Sequence, residues 1–322
     1  MTVSNGQDSG IVAELTTIPA NEQMIPFEIA EPWLKVSDEA MQLEGLCFDR
    51  SGNLYFLEVF EGRIFKVAKG SQKVECLYQL AQGENPAALK IHKDGRLFIC
   101  CLGNFVDSGS VIALDPDELT VETIIAPSKG FVVDDMVFAS DGSFYFTNFV
   151  GGVGNLIGGV YHVSADFSTI SPVLSHLAVP NGLALTKDEQ ALWITEMSHN
   201  RLIYCQLVDR TSVPPFGTTV PYHFSGLEGP DSCCVDDEGN LYVALYEQGR
   251  VLVFDALGNV KEQKLIKGRE TGHLLRTTHP AIAPNSKELI ICTNDFGQDK
   301  GSWLYKATAL ADGAGFSYQF KS

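Results

Sequence analysis

The chain has no apolar stretch approaching the length of a membrane span, no CxxC pair or Cys/His zinc spacing, and no Gly-x-Ser-x-Gly elbow. The first absence excludes a spanning helix. The second leaves no structural zinc site legible, and the third disfavours a covalent serine mechanism. Basic residues are scarce: 23 Lys and Arg stand against 40 Asp and Glu, for a formal net charge of −17. Nucleic acids and anionic membranes require a basic footprint, so neither is expected as a partner. The opening residues Met1 to Gly10 carry neither a basic region nor an apolar core, so no secretory leader is expected. Sustained apolar spacing at i, i+3, i+4 and i+7 is also missing, which argues against a helical repeat array. The eight cysteines fall mostly inside apolar runs and read as buried free thiols of a cytoplasmic protein.

What the chain does contain is a repeat. Short β-branched and aromatic runs flank turn residues at Gly52, Gly95, Gly142, Glu189, Gly239 and, in a weaker sixth copy, Lys287. Eight residues before each turn stand Glu44, Ala87, Asp134, Asn181, Asp231 and His279, so successive copies begin 43, 47, 47, 50 and 48 residues apart. That period and composition suit a four-stranded propeller blade. The Asp-Gly, Asp-Glu and Gly-Asn pairs are hairpin chemistry, because they tolerate positive φ. The expectation is an all-β, six-bladed β-propeller with four-stranded blades over residues 36–322. Residues 1–35 form an N-terminal arm that closes the ring by adding a strand to a terminal blade.

In a propeller the first strand of each blade lies beside the central channel, and the second returns antiparallel. Glu44, Asp134, Asn181 and Asp231 start first strands and should face one mouth. Glu58, Asn148, Glu196 and Tyr246 end second strands and should surround them. Three carboxylates and an amide oxygen suit a hard cation, and Ca²⁺ tolerates the irregular geometry of a site drawn from separate blades. Ser232 can add an oxygen. Mn²⁺, Mg²⁺ or Zn²⁺ are further divalent candidates, although the lack of a His–His or His–Cys pair weighs against zinc. Asp49, Asp94, Asp141, Asp188 and Asp237 are assigned to turns. His279 shares the axial register but precedes Pro280, and reads either as pocket-lining or as part of a turn. His92, inside an apolar run, reads as structural; His199 and His273 sit in loops and could be either.

Gln42-Leu-Glu44-Gly-Leu, Val133-Asp134-Asp-Met-Val-Phe, Pro180-Asn181-Gly182-Leu and Gly229-Pro-Asp231-Ser232 resemble the regucalcin, gluconolactonase and luciferin-regenerating-enzyme family. The likeness runs from Glu31-Pro-Trp-Leu almost to the C-terminus. It implies a six-bladed propeller lactonase with a catalytic divalent cation on the axis. Glu44, Asp134, Asn181, Asp231 and Ser232 would be its ligands and Asp231 the general acid/base. A second, structural Ca²⁺ known from bacterial lactonases of this family would use Asp107 and Gly109, but the acidic residue before the third blade is replaced near Ala126. The expected activity is therefore opening of a small lactone by a monomer or weak homo-oligomer. The alternatives are a non-catalytic propeller binding module with a structural ion, and an ester or organophosphate hydrolase on the same site.

Overall fold

The computed structural model describes residues 17–226, 228–295 and 300–313; residues 1–16 of the expected arm lie outside them. Among the described residues the helices are two short 3₁₀ turns, Pro127–Lys129 and Arg269–Thr271, and the rest of the regular structure is 24 strands. Strand β1 (Phe27–Ser37) precedes the repeats. A first sheet follows in simple order: β2 (Leu43–Phe48), β3 (Leu54–Glu58), β4 (Arg63–Val67) and β5 (Glu75–Gln79). The second contains β6 (Pro86–Ile91), β7 (Leu97–Cys101), β8 (Ser110–Leu114) and β9 (Val121–Ile125). The third contains β10 (Val133–Phe138), β11 (Phe144–Asn148), β12 (Gly158–Val163) and β13 (Ile170–Leu177). The fourth contains β14 (Pro180–Leu185), β15 (Ala191–Glu196), β16 (Arg201–Gln206) and β17 (Thr218–His223). The last two repeats supply β18 (Pro230–Val235), β19 (Leu241–Leu245), β20 (Arg250–Phe254), β21 (Val260–Ile266), β22 (Arg276–Ile282), β23 (Glu288–Asn294) and β24 (Ser302–Thr308).

The fold is all-β and propeller-like, with four-stranded blades. It departs from six separate sheets: four have four strands, and the last is eight-stranded, in the order β18-β19-β20-β21-β1-β24-β23-β22. The cause is β1. Its first half, Phe27 to Ala30, pairs parallel with Gln263 to Ile266, and its second half, from Glu31, pairs antiparallel with β24. One strand thereby covers two outer edges that would otherwise expose unpaired backbone. The first strands pack side by side in a closed cycle, β2, β6, β10, β14, β18, β22 and back to β2.

Apolar runs decide which strands lie inside. β2, β10 and β14 are buried at every position, so their sequences lack alternation, whereas the outer strands β5, β9 and β17 are mostly exposed. The core is accordingly divided into wedges between neighbouring sheets. Phe98, Phe138, Phe144 and Phe146 fill the wedge between the second and third, and Leu43, Phe56, Ile290 and Leu304 the one between the first sheet and the β22–β24 unit. First strands begin at Leu43, Pro86, Val133, Pro180 and Pro230, one residue before the register residues, and at Arg276, three before His279. Proline is admissible as the first residue of a strand, where its missing N–H removes no ladder bond.

Asp237 lies in the fifth turn as expected, but its neighbour does the capping. The residue that accepts the turn N–H in the fifth repeat is Asp236, whose carbonyl takes Gly239 N–H at 3.0 Å and whose carboxylate takes the N–H groups of Glu238 and Asn240. Asp237 points outward to Lys187 at 2.8 Å. The two adjacent aspartates differ by one position in the turn, and only the first can fold back over it. In the fourth repeat Glu189 takes φ 59° without being glycine. Its carboxylate accepts Ser140 N–H at 2.7 Å and pairs with Arg210 at 2.6 Å, which offsets the strain.

The described part of the arm is fastened by a fully buried ion pair. Glu22 Oε2 lies 2.5 Å from Arg250 Nη1, and neither side chain is exposed. Tyr222 donates to the other carboxylate oxygen at 2.5 Å, and Gln248 Oε1 accepts from Arg250 at 2.6 and 3.0 Å. Removing one partner of such a pair strands a buried charge. Glu22→Ala is therefore expected to lower unfolding free energy by about 3–5 kcal/mol, measured by denaturant titration.

Candidate functional site

Each of the six first strands carries a register shift where the site residues sit. The irregularities fall between Glu44 and Cys47, Pro86 and Ala88, Val133 and Met136, Pro180 and Leu183, Pro230 and Cys233, and Thr277 and Pro280. A bulge re-aims side chains that strict alternation would direct elsewhere. Threonines hold these bulges and join one sheet to the next. Thr147 accepts Asp135 N–H at 3.0 Å and donates to the Asn181 carbonyl at 2.8 Å. Thr195 repeats the motif, accepting Gly182 N–H at 2.6 Å and donating to the Asp231 carbonyl at 2.8 Å. Gly182 itself is required by packing: a Cβ there would stand 2.6 Å from the Asp231 carbonyl oxygen.

Glu44, Asp134, Asn181, Asp231 and Ser232 are all buried, at 7%, 6%, 3%, 4% and 1% exposure. Electrostatics couple Glu44 and Asp134 to Asp231. Burial, then Asp231 and Asp134, raise the Glu44 carboxyl well above the usual carboxylate range. Burial, then Asp231 and Asp135, do the same to Asp134. Asp231 is pushed up to about 8 by burial, although the Asn181 side chain and the Ser232 N–H, the latter at 3.0 Å, both hydrogen-bond its carboxylate. The Asn181 Oδ1 atom is buried and has no hydrogen-bond partner. An orphaned amide oxygen beside mutually repelling carboxylates fits a hard cation. As placed, no group of three His, Cys, Asp or Glu side chains among the described residues is arranged to hold a metal ion by itself.

Most of the expected surrounding ring serves the backbone. Glu58 accepts the N–H groups of Phe60 and Glu61 at 3.0 and 2.7 Å, and Asn148 that of Val132 at 2.9 Å. Glu196 accepts Ala178 N–H at 2.6 Å and pairs with Arg201 and His199. The Tyr246 ring carries the Arg276 guanidinium 5.5 Å from its centroid, and burial raises its phenol, with Asp231 and Glu44 adding to the shift. His92 is packed among Phe98, Phe138 and Phe167, and His273 is tied to Asp295 at 2.8 Å. Asp107 lies in an exposed turn that Asn104 organises, accepting from Asn104 Nδ2 at 3.0 Å, while Gly109 N–H bonds the Phe131 carbonyl at 2.6 Å.

Sequence reasoning missed Lys90 and Asp135. Lys90 Nζ lies 3.7 Å from Asp135 Oδ1 and 3.3 Å from His279 Nε2, and His279 Nδ1 is 3.5 Å from Glu44 Oε2. Asp135 also accepts the N–H groups of Met136 and Leu183 at 2.7 and 3.0 Å. Burial opposes the charge on Lys90 most strongly, but Asp135 together with Cys47, Cys233 and Cys234 more than offsets it and the ammonium is stabilised. The available signal was a lone charge inside the apolar run Ala87-Ala-Leu-Lys-Ile. Farther along the inner strands the channel encloses a cavity of about 90 Å³, bordered by Lys90, His279, Cys47, Cys233 and Cys234.

These features define a propeller protein with an acidic, desolvated site at one end of its channel. The pattern of the SMP-30/Gluconolactonase/LRE-like region matches residues 43–293, and the chain belongs to that family. It is 52% identical over 305 residues to lactonase drp35 of Staphylococcus saprophyticus subsp. saprophyticus, covering 94% of each chain. Among solved structures, a luciferin-regenerating enzyme aligns with a TM-score of 0.69 at 18% identity, covering 88% of this chain and 98% of that one. Regucalcin of Agrobacterium tumefaciens, described as a calcium-binding protein, aligns at 0.68 and 18% identity, covering 90% and 97%. At such identities the structural likeness speaks to the fold.

Thr195→Val retains shape but strands Gly182 N–H and the Asp231 carbonyl. Each unpaired buried group costs about 1–3 kcal/mol, so thermal unfolding should show a loss in that range or above it.

Proposed function

We propose that the chain is a lactone hydrolase whose axial site holds a divalent cation, Ca²⁺ in the first instance. The observation that carries this reading is the buried convergence of Glu44, Asp134 and Asp231 with an unpartnered Asn181 oxygen. It is supported by the relative named lactonase at 52% identity and by the description of regucalcin as calcium-binding. Glu44, Asp134, Asn181 and Asp231 would hold the ion, with Ser232 adjacent. Reading the eight-stranded sheet as two units bridged by β1 gives six blades around this axis.

A cation bound there would polarise the lactone carbonyl and stabilise the negative charge that develops on its oxygen. Asp231 takes a proton from the attacking water and returns one to the departing ring oxygen. The Asn181 amide and the Ser232 N–H orient the Asp231 carboxylate for both transfers. Burial keeps bulk water from competing with the reacting pair. The partner is a small cyclic ester, acted on by a monomer or weak homo-oligomer. Eight free cysteines, six of them buried, suit a reducing cytoplasm, and no helix among the described residues is long and apolar enough to cross a membrane.

The first test is a lactone panel assayed with chelator and with re-added Ca²⁺, Mn²⁺, Mg²⁺ or Zn²⁺. Turnover that vanishes on chelation and returns with Ca²⁺ is expected; turnover indifferent to chelator refutes the metal role, and no turnover of any lactone with any of the ions favours the non-catalytic binding module. Division of labour gives a second. Asp231→Asn keeps an oxygen but loses the basic site, so kcat at saturating Ca²⁺ should fall ~10²–10⁴-fold. Asn181→Ala should mainly raise the Ca²⁺ requirement, and excess Ca²⁺ should restore part of its rate. Equal rescue of both variants would make Asp231 only a ligand.

A further inference from the structure

We propose that His279 is a positioning residue for Glu44, held by Lys90 in the Nδ1–H tautomer. The proposal rests on reading Glu44 as a cation ligand, but its first test does not. His279 is wholly buried, so its ring nitrogens cannot turn to solvent. Nε2 faces Lys90 Nζ at 3.3 Å. Nδ1 faces Glu44 Oε2 at 3.5 Å, too long for a hydrogen bond, and has no hydrogen-bond partner.

An ammonium group has N–H donors and no lone pair. Nε2 must therefore present its own lone pair to Lys90, because an N–H there would meet another N–H. A neutral imidazole carries a single N–H, which is then left on Nδ1, directed at the carboxylate. The donor side is fixed in turn, since Asp135 draws Lys90 at 3.7 Å while anchored by the Met136 and Leu183 N–H groups. A chain Asp135, Lys90, His279, Glu44 thus crosses the channel through four different sheets. It turns one N–H toward a carboxylate that, among the described residues, accepts the Gly45 N–H at 3.2 Å.

Partners that orient a ligating group typically matter ~10–100-fold in metal affinity. The side chains of Asn and Gln separate this role from simple space-filling, because the Asn amide nitrogen falls near the Nδ1 position and that of Gln near Nε2. In metal-free wild-type protein, histidine-selective ¹⁵N spectra should show a protonated, pyrrole-type Nδ1 and a pyridine-type Nε2 for His279. In Lys90→Met that preference should collapse toward a mixture. By calorimetry with Ca²⁺ alone, His279→Asn should stay within about threefold of wild type, while His279→Gln and His279→Leu weaken by ~10–100-fold. An Nε2–H tautomer in the wild type, spectra unchanged in Lys90→Met, or equal affinities for the Asn, Gln and Leu variants would each overturn the proposal. Wild-type protein that binds no Ca²⁺ would overturn the Glu44 ligand reading, and with it the positioning role, while the ¹⁵N spectra still decide the tautomer.

Discussion

Carboxylates confined together in a desolvated channel are the constraint on which this structure turns. Two unit charges 4 Å apart interact by roughly 1 kcal/mol in water but about 4 kcal/mol at the effective dielectric of a protein site. Glu44 and Asp134 each feel Asp231, Asp231 feels Asp135, and burial adds to every shift. Lys90 is the ammonium beside them, and Asp135 already draws on it. The balance is therefore negative, and either protons or a cation must settle it. That imbalance makes the site a poor source of stability and is the physical ground for the proposed cation.

Stability comes from elsewhere. Wedges of aromatic and aliphatic side chains between the sheets tolerate an acidic axis because they lie outside it. Thr147 and Thr195 then transmit the rigidity of second strands to the bulges of the next sheet. The same bonds that register one sheet against its neighbour also set where Asn181 and Asp231 stand. Strand β1 completes the ring from outside, sharing its edges between β21 and β24. Glu22 and Arg250 fasten the segment that leads into it.

Much of this was legible in the chain. The eight-residue offset exposed the register because hairpin chemistry and fully buried inner strands leave strong local marks. Glu44, Asp134, Asn181 and Asp231 followed from that register. Asp135 and Lys90 did not, because a bulge breaks the two-residue alternation from which facing is read. Asp135 adjoins Asp134 and would be assigned to the opposite face, yet it too acts on the axial carboxylates. Glu58, Asn148 and Glu196 were read as rim residues, since nothing local reveals that their side chains cap backbone N–H groups. The double pairing of β1 is a long-range property of a ring closing on itself, and no local pattern encodes it.

The most direct measurement is anomalous diffraction from crystals soaked in Mn²⁺ as an X-ray-visible stand-in for Ca²⁺, with a competing Ca²⁺ soak. The account predicts one strong anomalous peak at the end of the channel, touching Glu44, Asn181 and Asp231 oxygens, that Ca²⁺ displaces. No peak on the axis, with the three carboxylates bonded only to protein, would contradict it.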